Sequence, residues 1–279
     1  MKKTIKFVKI RSKHPSHNEL RKVIPASKPV VLRLGSTTEM PAGFVEINHK
    51  DVARISGNKK KMKMAFNEAG VKTADWFTHS GAAGFIQHAH GMIDRGVMIS
   101  DLPYPIVAKS LFGAQGKGNT KINNQQELET WLQGKNLSNY IYEKFVNMLL
   151  EFRLHVTSDG CFYACRKAMR ADTPAEERWR FHSDTSIFFL EENDRFFKPN
   201  SWDDIIEDCV AVVNEINADV LAFDVKVQSA TDKNGNVRDY QEYILIECNA
   251  APSLLKIGIE KYKEIIPKII EKKVNANQV

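Results

Sequence analysis

Near its C-terminal end the chain reads ILIECNAAPSL, residues 244–254, and this stretch restricts the fold more than any other. Three apolar residues of strand character lead into Glu247, Cys248 and Asn249, and the run stops against small residues and Pro252. Strand side chains alternate between faces, so Glu247 and Asn249 point one way and Cys248 the other. Upstream, LAFDVKVQ (residues 221–228) is a second β-rich run whose single acid is Asp224. If the two strands pair, Asp224, Glu247 and Asn249 form a cluster of hard oxygen ligands. Such a cluster suits Mg²⁺, which takes one or two carboxylates, completes its shell with water, and is commonly shared with nucleotide phosphates. An acid near a strand end is equally readable as a solvated edge or a cap, so the reading needs support from elsewhere in the chain.

A length of 279 residues fits two or three modest subdomains better than one small core. Hydrophobic content of 43% beside 27% charged residues places the chain among globular enzymes, and no apolar run approaches the roughly 18 residues of a membrane span. The start, MKKTIKFVKIRSKHP, alternates apolar residues with lysines as an edge strand does, with no signal-peptide core, so the expected localisation is cytoplasmic. Cys161 and Cys165 share one β-like run, about 13 Å apart and too far to bridge. Cys209 and Cys248 lack ligand-like spacing, and all four read as reduced, buried thiols. A net charge of +6 suits an anionic ligand such as a nucleotide, and a basic solvated surface is favoured over nucleic-acid binding.

Taken in order, residues 30–34 form an apolar β-branched run that opens into Gly35-Ser36-Thr37-Thr38, the pattern of a buried strand ending in a polar loop. Ser36 and Thr37 are more readily a plain turn than a substrate contact. Ser56-Gly57-Asn58 starts a helix with Met62, Ala65, Phe66 and Ala69 at helical spacing and Gly70 beyond its end. Its lysines, residues 59–61 and 63, read mostly as a solvated face, with one of them held for an anion. Residues 85–95 are expected to be helical, which puts His88 and His90 on different faces and argues against a metal pair there.

Residues 105–122, PIVAKSLFGAQGKGNTKI, place Lys109 on a strand, then a loop with Gly113, Gly116 and Gly118, then a second strand at 120–122. Glycines let a backbone fold closely over phosphate oxygens, and a lysine adds positive potential. Neither a Walker loop nor a Rossmann fingerprint is present. Residues 125–132 read as a helix, and 140–147 as a strand ending in Glu143-Lys144-Phe145-Val146. Glu151, Arg153 and His155 then alternate with Phe152, Leu154 and Val156, giving a strand with one polar and one core face. Residues 161–168 return as its partner, carrying Arg166 and Lys167. A polar loop follows at 171–184, then expected strands at 187–191 and 196–197, an amphipathic helix at 202–217, and a hairpin turn at Asp232, Asn234 and Gly235.

The order of these motifs resembles the ATP-grasp superfamily: a strand lysine with a glycine-rich hairpin, a Glu-Lys-aromatic-aliphatic hinge, a Glu-x-Arg strand, and an Asp followed by Glu-x-Asn. The resemblance covers about residues 48–255 and is nearest to ATP-dependent carboxylate–amine ligases such as glutathione synthetase, D-alanine–D-alanine ligase and the ligases that add glutamate to a ribosomal protein. It implies an α/β (α+β) fold with the nucleotide held between two β-rich subdomains. The implied division is a small N-terminal α/β domain at 1–78, a central lid subdomain at 79–142, and a C-terminal subdomain with the Mg²⁺ site at 143–279. It further implies that Lys59 and Lys109 contact nucleotide phosphates, Lys109 also reaching N7 of adenine, and that the loop with Gly113, Gln115, Gly116 and Gly118 closes over them. Glu143, Lys144, Phe145 and Val146 would hold the adenine edge, Glu151 the ribose, and Asp224, Glu247 and Asn249 the Mg²⁺, or Mn²⁺ in its place. Arg166 would stabilise the transferred phosphoryl group, with Arg153 a second candidate.

By the same resemblance the substrates are ATP, a small-molecule or peptide carboxylate, and an amine, joined through an acyl phosphate. An ATP-grasp kinase, and a non-catalytic module binding nucleotide or nucleic acid, are the alternatives. Monomer and homodimer are both compatible with the sequence. The chain departs from the family pattern at Asn58, where an Asp is expected, and at Ser253, where Gly follows the Pro. The hairpin between Asp224 and Glu247 is longer than usual, and Arg178, Arg180, His182 and Ser183 stand where several ligases carry a Gly-rich substrate loop.

Overall fold

The computed structural model describes residues 8–9, 19–20, 22–23, 30–40, 42–81, 84–89, 94–113, 118–181 and 185–276. Three sheets follow one another along the chain. The first is parallel, with β1 (Val8–Lys9), β2 (Val30–Leu34) and β3 (Val45–Ile47) in that order. Arg33 of β2 is fully buried, a position a guanidinium tolerates only when its donors are met. It donates to the carbonyls of Ser36 (2.9 Å), Thr38 (2.7 Å) and Asn48 (3.2 Å) and pairs with the Glu46 carboxylate. Ser36 is buried in the resulting turn, where its hydroxyl accepts from the Thr38 N–H.

Asn48 follows β3 with φ at 59°, a left-handed conformation that Asn tolerates better than most residues. Its side chain accepts from the N–H groups of Asp219 (2.8 Å) and Val220 (3.1 Å) and donates to the Val220 carbonyl (2.8 Å). Helices α1 (Lys50–Ser56) and α2 (Lys59–Glu68) come next. Asn58 caps α2, its side-chain oxygen accepting from the Lys61 N–H at 3.1 Å, a task Asn and Asp perform equally well.

The second sheet is antiparallel and six-stranded: β4 (Trp76–His79), β5 (Phe85–His88), β6 (Arg95–Val97), β7 (Ile106–Ser110), β8 (Thr120–Ile122) and β9 (Tyr140–Lys144), in spatial order β6-β5-β4-β9-β7-β8. Helix α3 (Gln125–Leu132) covers it, with Leu128 buried beside Phe77, Phe85, Ile106 and Tyr142. The helix expected at 85–95 is instead the β5–β6 pair, with residues 90–93 outside the described set. Phe85 and Gln87 pair with His79 and Phe77 of β4, and Phe85 meets the edge of the Tyr142 ring at 5.0 Å, so sheet pairing overrides the apparent helical spacing. The division points expected at 78/79 and 142/143 fall inside β4 and β9, both strands of this one sheet.

The third sheet is antiparallel and five-stranded: β10 (Leu150–Thr157), β11 (Gly160–Met169), β12 (Ser186–Leu190), β13 (Leu221–Val227) and β14 (Tyr243–Asn249), in order β12-β11-β10-β13-β14. Its core face presents Phe152, Leu154, Phe223, Val225 and Leu245 to Met62 and Phe66 of α2 and to Ile205, Cys209 and Val212 of α4 (Trp202–Glu215). Each fully buried side chain of this size contributes about 1.5–3 kcal/mol. Phe196 and Phe197 form no strand: both rings meet the Phe152 ring edge-on, at 5.9 and 6.4 Å, and Phe196 also meets Trp202. Helix α5 (Lys256–Ala276), which the sequence reading leaves unassigned, packs Tyr262, Ile266, Ile269 and Ile270 on Val30, Leu32 and Ile47. The four cysteines are free thiols. Among the described residues no helix is long and apolar enough to cross a membrane.

His155 of β10 is buried and shares a 2.9 Å hydrogen bond with the Tyr262 hydroxyl of α5. Burial, reinforced by Arg153, pushes its imidazole down to about 3 from 6.5, so the folded protein holds it neutral where the unfolded chain would protonate it. Stability therefore rises with pH across this window and is lost on acidification. Between pH 6.5 and pH 5 the loss from this group is about 1.5 kcal/mol. Urea unfolding at the two pH values is expected to show the decrease in the native chain and a flatter response in His155→Asn.

Candidate functional site

A cleft lies between the six-stranded and five-stranded sheets. Val107, Lys109, Glu143 and Lys144 line it from one side, and Glu151, Asp224, Lys226 and Glu247 from the other. Phe145 and Val146 form its back where the chain crosses between the sheets. Ala74, Ile244 and Ile246 add apolar walls, and Trp179, Arg180 and Phe181 from the loop after β11 close one flank.

The strand pairing inferred from the sequence is present, with Asp224 of β13 directly opposite Glu247 of β14 and Ala222 opposite Asn249. The register shifts beside this pair, Val225 facing Leu245, so Ile246 is an extra residue in β14. This bulge turns Glu247 onto the face that Ile244 and Ile246 already occupy, and all three line the cleft. Cys248 points the other way into the core, as alternation requires. The Asn249 amide nitrogen lies 3.3 Å from Glu247 Oε1, which brings two carboxylates and an amide together at the strand ends.

These residues fit a small, hard divalent cation by donor type, two carboxylates and an amide oxygen with water and ligand oxygens to complete the shell. Among the described residues no group of three or more His, Cys, Asp and Glu side chains could hold a metal by itself. Asp224 is already engaged. Arg153 donates to both of its oxygens at 2.7 Å, and Lys167 lies 2.9 Å from Oδ1. Burial raises the Asp224 carboxyl, but Arg153 and Lys167 outweigh it and hold the group well below the usual carboxylate range.

Glu143 is the second charged centre. Lys109 donates to its Oε2 at 2.7 Å and Lys63 approaches the same oxygen at 3.4 Å, while Oε1 is buried without a partner among the described residues. Burial pushes the carboxyl up and the two lysines more than offset it, keeping the group ionised. Lys63 is fully buried, donates to Thr73 at 2.5 Å, and is brought down by burial to about 8. The lysine run is thus split: Lys59 and Lys63 turn inward and Lys61 faces solvent. Lys59 donates to the Gly113 carbonyl at 2.6 Å, joining the start of α2 to the root of the glycine loop. Gly113 and Gly118 flank that loop, and Gln115 and Gly116 lie outside the described residues.

In the hinge, the Lys144 and Phe145 N–H groups donate to Asp75 and Pro105, leaving the Val146 N–H as the donor without a backbone acceptor among the described residues. Glu151 is buried and accepts from Lys167 at 2.6 Å. Arg166 does not join the cluster. It pairs across β10 with Phe152, whose side chain enters the core, and its guanidinium lies over the Phe189 and Phe197 rings at 5.4 and 4.7 Å. Strand alternation turns its neighbour Lys167 toward the cleft instead. Arg178 is bound to the carbonyls of Thr173 and Ala171, and His182 and Ser183 lie outside the described residues. The sequence reading missed Lys63, Lys167 and Lys226. For Lys167 and Lys226 a signal existed, because Lys226 shares a face with Asp224 by alternation and Lys167 shares one with Glu151 once the strands are paired.

No protein-family model matches the sequence, and no curated protein matches it. Solved structures do. N5-carboxyaminoimidazole synthetase from Staphylococcus aureus, complexed with ADP, matches with a TM-score of 0.58 at 17% identity over 86% of this chain and 60% of that one. D-alanine–D-alanine ligase from Bacillus anthracis, complexed with ATP, matches with a TM-score of 0.59 at 14% identity over 95% and 85%. A RimK domain ATP-grasp protein from Sphaerobacter thermophilus matches with a TM-score of 0.57 at 12% identity over 95% and 98%. The chain spans 60% of the Staphylococcus synthetase and 53% of its Aspergillus clavatus counterpart. Identities this low carry the architecture alone: the chain has the ATP-grasp fold, as the motif order implied.

Removing Lys63 leaves Glu143 buried with a single partner. Lys63→Met is expected to cost about 3 kcal/mol or more of stability, and Lys63→Met combined with Glu143→Gln is expected to recover part of it, as chemical denaturation would record.

Proposed function

We propose that this chain, an ATP-grasp fold with an acidic strand pair facing two nucleotide-side lysines, is an ATP-dependent carboxylate–amine ligase. The observation that carries the reading is the Asp224–Glu247 pair with Asn249 at the end of a cleft whose other wall presents Lys109 and Glu143. A site for nucleotide alone has little need of two carboxylates beside its phosphates. A divalent cation held between carboxylates and phosphates accounts for both charges.

In this reading a purine lies against Ile244, Ile246 and Val107 and meets the Val146 N–H, and Glu151 accepts from the ribose hydroxyls. Lys59 and Lys109 bind phosphate oxygens, for which Lys109 exchanges its contact with Glu143 and leaves that carboxylate to Lys63. Asp224, Glu247 and Asn249 hold Mg²⁺ or Mn²⁺, which supplies charge neutralisation for phosphoryl transfer. Arg153 and Lys167, the cations bonded to Asp224, replace Arg166 as the groups placed to absorb charge on the transferred phosphoryl. A carboxylate attacks the γ-phosphorus, ADP leaves, and an amine displaces phosphate from the acyl phosphate to give an amide. Lys226, Arg180 and Lys144 at the cleft suit an acidic acceptor, although the nucleotide's phosphates alone would also match their charge. A cytoplasmic setting, a small-molecule or peptide acceptor, and the three-part division of the chain belong to the same proposal.

Mg²⁺-ATP with pools of amino acids and short peptides is the test. ADP release with a product mass equal to two components less water is expected. A phosphorylated acceptor without condensation would make the protein a kinase, and ATP binding without turnover would make it a binding module or one with a macromolecular acceptor. Glu247→Ala is expected to retain the fold and abolish ADP release. Normal turnover in that variant would remove Glu247 from the site.

A further inference from the structure

Two carboxylates of the cleft share one counter-ion. The Lys167 ammonium, buried on β11, lies 2.6 Å from Glu151 Oε1 and 2.9 Å from Asp224 Oδ1. It therefore connects the carboxylate assigned to the ribose with the carboxylate assigned to the cation. Arg153 occupies both oxygens of Asp224 as well. By charge the four carboxylates Glu143, Glu151, Asp224 and Glu247 are balanced by four cations, Lys63, Lys109, Arg153 and Lys167, which are bonded to the first three of them. Lys226 adds a further positive charge at the cleft. A lone divalent cation would thus enter a region that is neutral to positive and would have to displace two organic cations from Asp224. A nucleotide brings the negative charge that lowers this barrier, because its phosphates offer the displaced ammonium and guanidinium new partners.

Resting on the nucleotide reading above, we infer that Lys167, through its shared contact with Glu151 and Asp224, makes cation binding depend on nucleotide binding. In the free protein Lys167 and Arg153 stand in the cation's place at Asp224. With nucleotide present Lys167 and Arg153 turn to its phosphates, and the carboxylate becomes available. Linkage requires the converse too, so the cation strengthens nucleotide binding by the same factor.

The test is a titration of Mn²⁺ alone into the nucleotide-free full chain, followed by the paramagnetic resonance signal of the free ion. The native protein is expected to bind weakly, and Lys167→Met to bind about tenfold tighter or more, within the usual range of coupling between sites. Adding Asp224→Asn to that variant is expected to remove the gain. Lys167→Met leaves Glu151 buried without its partner, so Glu151→Gln/Lys167→Met serves as a second form in which that strain is absent, with the same gain expected. ADP is expected to raise Mn²⁺ affinity in the native protein and to raise it less in Lys167→Met.

Unchanged or weaker Mn²⁺ binding in both Lys167 variants overturns the inference, as does tight binding of Mn²⁺ alone by the native protein that Asp224→Asn abolishes. A purely structural role for Lys167 would lower affinity rather than raise it. The two failures are separable: ADP that binds no form of the protein overturns the nucleotide reading, and an unaltered Mn²⁺ affinity overturns the role of Lys167 whatever ADP does.

Discussion

A single buried carboxylate, Glu143, ties the layers of this protein together at the cleft. It stands on the strand that leaves the six-stranded sheet, between Lys109 of the same sheet and Lys63 of the helix packed under the five-stranded sheet. Burying any one of these charges alone would be prohibitive, so each is tolerated only while the others are in place. Lys63 in turn holds Thr73, whose hydroxyl donates to the Leu245 carbonyl one residue before the bulge. The position of Glu247 and the charge on Glu143 are therefore linked through one short chain of hydrogen bonds.

The five-stranded sheet shows how alternation divides labour. Even-numbered residues of β10 face the core; on the opposite face Glu151 lines the cleft, Arg153 bonds Asp224 and His155 packs on α5, and β11 and β13 keep phase with it through their registers. Charged residues collect on one face without entering the apolar core on the other. They neutralise one another across strands: Arg153 against Asp224, Lys167 against Glu151. The same phase rule sends Arg166 to the far side, where its charge rests on two aromatic rings near the surface.

Much of this was legible in the sequence, because it depends on local period and short-range spacing. The Asp224 and Glu247 strands, the polar face of β10, the helix at 125–132 and the cap at Asn58 all follow from patterns within a few residues. What was missed needed long-range information. The bulge at Ile246 is invisible in ILIE, which reads as plain alternation. The residues at 85–95 carry a spacing compatible with either element, and only pairing with β4 decides it. Lys63 sits in a run of lysines that looks solvated until Glu143, eighty positions away, is brought beneath it. The family resemblance points to Arg166 rather than Lys167, an offset of one residue that strand geometry converts into opposite faces of a sheet. Helix α5 has a clear apolar stripe, but Pro267 within it interrupts the pattern by which helices are found.

The first sheet bears on the site through Asn48. That residue satisfies Asp219 and Val220 immediately before β13 begins, and Lys273 of α5 bonds the same Asp219 at 2.6 Å. The N-terminal layer and the last helix thus grip one end of the strand that carries Asp224 three residues further on than Leu221. A chain trimmed ahead of Lys50 would lose more than a peripheral layer: it would unfasten the foot of the strand on which the acidic pair is aligned, and the site would drift in register without any of its own residues having changed.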